Sequence, residues 1–107
     1  MKEIDVFLRY SELLNLYQNL LSKTQKEILE DYFYFNLSFS EIAENRNITR
    51  SAVEDAIKKG KKKLDNFEEQ LCSLKALHML HDIKTESKNE ELKSKLEEVE
   101  RTMKHGI

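Results

Sequence analysis

Apolar residues recur at three- and four-residue steps along most of the chain. From about Asp5 to Leu21 the positions Val6, Tyr10, Leu13, Leu14, Tyr17, Leu20 and Leu21 share one broad face, which predicts an amphipathic helix. Ser22 followed by Gln25 reads as a capping box that opens a second helix, with Ile28, Leu29, Tyr32, Phe33 and Phe35 as its stripe and Asn36 at its end. Ser38 with Glu41 repeats the device and starts a third helix, roughly Phe39 to Arg46. Asn47 tolerates left-handed backbone and suits a tight turn, and Thr49 is the natural cap of a fourth helix opening at Arg50. Ile42, Ala43, Ile48, Val53 and Ile57 are spaced to be buried together where the third and fourth helices cross. Ala43 is small enough for two backbones to approach. The pattern is a helix-turn-helix, whose second helix is shaped to enter a groove of nucleic acid.

The fourth helix does not stop there. Val53, Ile57, Gly60, Leu64, Phe67, Leu71 and Leu74 alternate steps of four and three, a heptad seam that predicts one helix from Arg50 to Ile83. Such a helix is on the order of 50 Å long, more than a domain of this size can cover. Part of the seam must therefore meet another chain or fold back, and Leu64, Phe67, Leu71 and Leu74 are its candidate dimer contacts. Gly60 costs about 1 kcal/mol inside a helix, so a bend or a close helix contact is expected there. The pattern loses phase from Lys84 to Ser87. Ser87 with Glu90 offers another capping box, and Leu92, Leu96, Val99 and Met103 form the narrow stripe of a last helix. That arm either packs on the long helix or a partner, or orders only when the partner binds. The expected organisation is a helix-turn-helix domain over 1–64 and a helical extension over 65–107 that serves dimerisation or packing.

Composition sharpens this picture. The 107 residues are 39% hydrophobic and 36% charged, with no proline and two glycines, so the expected class is all-α. The net charge of −2 is unevenly spread. Residues 1–57 carry six basic and ten acidic side chains, whereas Lys58, Lys59, Lys61, Lys62 and Lys63 fall within six positions. The chain as a whole is not built to coat nucleic acid, but it has one local basic patch. Cys72 is the single cysteine, which excludes an intramolecular disulfide and fits a reducing compartment. No apolar run approaches the roughly 20 residues that span a bilayer, and MKEIDVF lacks an export pattern, so a cytoplasmic protein is expected.

On the reading helix the outward candidates are Thr49, Arg50, Ser51, Glu54, Asp55 and Lys58, continued by Lys59, Lys61 and Lys62. Arg50 suits guanine edges or phosphate, and Thr49 and Ser51 sit where a helix N-terminus holds a phosphate oxygen. Glu54 and Asp55 oppose phosphate and fit only where a cytosine amino group donates to them. About three of the lysines reach one backbone, a log–log salt slope of about −3 per chain. The bland alternative for the lysine run is a solvated face balancing acidic neighbours. The aromatics Tyr10, Tyr17, Tyr32, Phe33, Tyr34 and Phe35 stand at core spacing rather than as a base-stacking platform. His78, His81 and Asp82 have helical spacing able to clip a metal, yet surface histidines explain them as well, and no cofactor is implied. Cys72, next to the seam residue Leu71, reads as a packed thiol. With no glycine-rich phosphate loop and no nucleophile beside a base, an enzyme is not expected.

The segments LNLYQNLLSKTQKEILEDYF (14–33), LSFSEIAE (37–44) and ITRSAVEDAIKK (48–59) together resemble the bacterial YlxM-type helix-turn-helix proteins. The helix-turn-helix itself is similar to region 4 of sigma factors. The resemblance implies a gene neighbourhood beside the signal recognition particle genes and a regulatory role in that pathway. Arg46 departs from it, standing where such motifs place an apolar residue, and Asn47 replaces an acidic residue or glycine. The resemblance covers Leu13 to about Leu71, and the arm after about Leu80 lies outside it. Two functions follow as expectations. One is a homodimeric regulator that binds double-stranded DNA. The other is a protein that docks on the signal recognition particle, its RNA or its protein, through the same surface.

Overall fold

Side-chain caps set the helix starts. Ser22, Ser38 and Thr49 all have extended backbone, and their hydroxyls accept from the N–H of Gln25, Glu41 and Ala52. At Ser38 the box is complete, because its own N–H donates to Glu41 Oε1 at 3.0 Å. At Ser22 only half of it forms. Gln25 Oε1 does not reach back and is buried without a partner. The computed structural model describes residues 2–105, with side chains from Ile4 to His105. It contains α1 (Lys2–Tyr17), a 3-10 turn (Gln18–Leu20), α2 (Lys23–Phe33), α3 (Phe39–Arg46), α4 (Arg50–Leu71), α5 (Ser73–Glu86) and α6 (Glu90–His105). There is no strand among the described residues, and the class is all-α.

The core is one cluster to which five helices contribute. Leu13, Leu14, Leu16 and Tyr17 of α1 meet Ile28, Leu29 and Phe33 of α2, Ile42 and Ala43 of α3, Val53, Ile57 and Leu64 of α4, and Leu74 and Leu77 of α5. Gly60 marks the crossing of α2 and α4. A β-carbon there would stand 2.7 Å from Leu29 Cδ1, so of the two explanations for this glycine the close contact holds.

Several expectations are corrected. The single helix from Arg50 to Ile83 breaks at Cys72, which adopts left-handed backbone at φ 51°. The seam folds back on its own chain. Leu64 and Leu74 are buried in the core, Phe67 packs against it, and only Leu71 of that set is exposed, at 53%. Val6, Leu20, Tyr34 and Phe35 also lie outside the core, while Leu16, one position off the assumed stripe, is inside it. Ile48 is 39% exposed rather than shared between α3 and α4. The last helix is capped by Asn89, whose Oδ1 accepts from the N–H of Glu91 and Leu92. Ser87 serves one step earlier, accepting from the N–H of Asn89. The arm packs as a hairpin: Lys84 of α5 bridges to Glu100 of α6 at 3.4 Å, and Met103 reaches the core. No helix among the described residues is long and apolar enough to cross a membrane.

Candidate nucleic-acid interface

Asn47 makes the turn between α3 and α4 in left-handed backbone, at φ 55° and ψ 46°. Its N–H donates to the carbonyls of Ala43 and Glu44, and that of Ile48 donates to Ala43 at 3.0 Å, so the end of α3 is closed by its own chain. Arg46, just before the turn, replaces apolar packing with an ionic clasp. Its Nε donates to Asp31 at 2.6 Å and its Nη1 to Glu27 at 3.0 Å, which ties α3 to α2. The Asp31 hydrogen bond is the main reason the guanidinium holds its proton above the ordinary arginine range.

From Thr49 onward α4 has one inner and one outer face. Val53, Ile57, Gly60 and Leu64 are buried, and Arg50, Ser51, Ala52, Glu54, Asp55, Lys58, Lys59, Lys62 and Lys63 are exposed. Thr49 has committed an oxygen lone pair to its cap. The Arg50 guanidinium lies 6.0 Å from the centre of the Phe39 ring, a cation–π contact that steers it toward the start of α3. That contact was not read from the sequence, because it joins two helices. Lys59 pairs with Asp55 at 3.0 Å, one helical turn away. Lys61 turns from the outer ridge to α1, with its ammonium 5.1 Å from the centre of the Tyr10 ring. Among the described residues, the α4 cations left without a carboxylate or ring partner on its exposed side are thus Lys58, Lys62 and Lys63, with Arg50 at its N-terminal edge. Glu54 is exposed and has no cation partner among the described residues.

The other flagged residues lie away from this face. His78 Nε2 is 2.7 Å from Glu12 Oε2 and joins α5 to α1. His81 lines the same cleft between α1, α5 and α6. No group of three or more potential metal ligands is gathered among the described residues. The Cys72 thiol is exposed, not packed.

Two capped helices joined by a left-handed residue, the second with an open outer face, define a helix-turn-helix protein. The chain belongs to the family described as "Putative helix-turn-helix protein, YlxM / p13 like", which matches residues 4–105. The match therefore includes the arm beyond Leu80, which the resemblance had left out. A UPF0122 protein of Malacoplasma penetrans is 39% identical over 100 residues, covering 94% of this chain and 92% of the relative. A second, from Bacillus velezensis, is 36% identical over 93 residues, 87% of this chain and 83% of the relative. A third, from Fusobacterium nucleatum, is 47% identical over 68 residues, 64% of this chain and 66% of the relative.

Proposed function

We propose that this protein is a cytoplasmic regulator that binds double-stranded DNA as a homodimer, each copy offering the outer face of α4. The supporting observation is the open start of that helix: Arg50, Ser51, Lys58 and Lys62 are exposed, while Val53, Ile57 and Leu64 hold the helix by its opposite side. Thr49, Arg50 and Ser51 engage phosphate or base edges at the helix N-terminus, and Lys58 and Lys62 follow the backbone. Lys59 takes part by neutralising Asp55 rather than by touching phosphate. Lys61, drawn to Tyr10, contributes at longer range.

Charge arithmetic favours two copies. Three phosphate contacts give a log–log salt slope of about −3, and two copies about −6. A fluorescent duplex titrated at several salt concentrations tests this. Steeply salt-dependent binding that collapses in an Arg50→Ala, Lys58→Ala, Lys62→Ala triple variant is expected, and unchanged binding by that variant contradicts the proposal. One observation favours a second reading. Glu54 is unpaired on the same face, where it repels phosphate and suits a basic protein surface. Under that reading the face docks on a component of the signal recognition particle, and duplex binding is absent.

A further inference from the structure

The α4–α5 junction breaks where the sequence supplies no breaker. There is no glycine or proline between Gly60 and Gly106, and the heptad series passes through Leu64, Phe67, Leu71 and Leu74. Cys72 nonetheless stands at φ 51° and ψ 24°, a conformation that a residue with a β-carbon adopts at a cost.

The bend releases three amides. In an unbroken helix the N–H groups of Ser73, Leu74 and Lys75 donate to the carbonyls of Glu69, Gln70 and Leu71. Here each has a substitute. Ser73 N–H donates to the Tyr17 hydroxyl at 3.3 Å, Leu74 N–H to Glu68 Oε1 at 3.0 Å, and Lys75 N–H to Glu68 Oε2 at 3.1 Å. Tyr17, itself buried, donates its proton to Glu68 Oε1 at 2.7 Å. Three helical bonds are exchanged for three side-chain bonds, and the strain at Cys72 is left on the bent side. A bent arrangement and a straight one with equal numbers of amide bonds, the bent one holding both the strain at Cys72 and the Tyr17–Glu68 bond, are what a bistable element requires.

Straightening has a consequence for burial. Leu74 and Leu77 of α5 are covered in the bent form, and Met103 of α6 packs against the same core. A straight α4–α5 helix lifts all three away and bares the surface they covered. Only an identical surface restores every one of those contacts, and a second copy of this chain provides it.

We infer that Glu68 and Cys72 form a hinge through which two copies exchange their α5–α6 hairpins, each hairpin docking on the body of the other copy. This deepens the two-copy assembly proposed above and does not depend on DNA binding. The exchange needs no new surface, because each hairpin contact is remade between copies. The Cys72 thiol has no part in it; the backbone at that position does.

The test uses the full chain carrying Cys72→Ala, which removes the thiol and keeps the β-carbon. Glu12→Cys and His78→Cys are added at the α1–α5 contact. Monomer and dimer fractions are separated by size, treated with a short thiol cross-linker and run under denaturing conditions. Links within one chain are expected from the monomer fraction, and links between two chains from the dimer fraction. Without the added cysteines, Cys72→Gly relieves the bent form and weakens the dimer about tenfold, and Glu68→Ala tightens it about tenfold. A dimer whose links stay within single chains overturns the exchange and leaves two-copy assembly standing. A chain that stays monomeric at millimolar concentration overturns both, and Cys72→Gly dimerising as tightly as Cys72→Ala overturns the hinge.

Discussion

Gly60 of α4 lies so close to Leu29 of α2 that a β-carbon would also meet Leu29 Cδ2 at 2.8 Å and Cγ at 3.0 Å. Leu29 is fully buried, so moving its side chain disturbs the close-packed core around it. Gly60→Ala gains about 1 kcal/mol of helix propensity and loses about 1–3 kcal/mol to overpacking. A net destabilisation of about 1 kcal/mol is expected from urea unfolding. A stabilised variant would show that α2 and α4 separate more easily than the contact implies.

Arg46 replaces apolar packing by holding two carboxylates of α2. Asp31 is the more enclosed, with 14% of its side chain exposed, and its bond is the shorter. A double-mutant cycle of Arg46→Ala and Asp31→Asn is expected to give a coupling of about 0.5–1 kcal/mol, at the upper end of surface pairs. A coupling near zero would mean that the clasp does not hold α3 to α2.

The tyrosines make stability sensitive to alkali. Burial, as the leading cause, raises the pKa of Tyr10, Tyr17 and Tyr34, and the carboxylates of Asp65 and Glu68 add to it at Tyr10 and Tyr17. A raised folded pKa favours the protonated form in the folded chain. The stability it contributes is therefore fully present below the ordinary tyrosine value of about 10, and falls as pH rises from there through the folded values. Melting temperature should hold between neutral pH and about 9 and drop beyond about 10. Tyr17→Phe should shrink that drop. It should also cost about 1–2 kcal/mol at neutral pH, since Glu68 and Ser73 each lose a partner.

Most of the helix-turn-helix was legible because its signals are local. Ser38, Glu41, Asn47 and Thr49 act within four residues of themselves, and each does in the structure what its chemistry suggests. Gly60 announced a bend or a close contact, and did not name Leu29, since periodicity identifies a face and not what lies across it. The break at Cys72 is not legible in the sequence, because no glycine or proline marks it and Glu68, which receives two of the freed amides, looks like any other helical glutamate. Tyr17, 56 positions away from Ser73, supplies one of the three replacement bonds. Lys61 was grouped with its neighbours by sequence, whereas its angle on the helix carries it to Tyr10. The same limit hid the Arg46 clasp, as charges at 27, 31 and 46 meet only once α2 and α3 cross.

The most direct test is an amide NMR titration of the full chain with a short duplex at low salt. Shift changes centred on Thr49, Arg50, Ser51, Lys58 and Lys62, and fading as salt is raised, are expected. Changes confined to α5 and α6, or none at duplex excess, would contradict a nucleic-acid role for the outer face of α4.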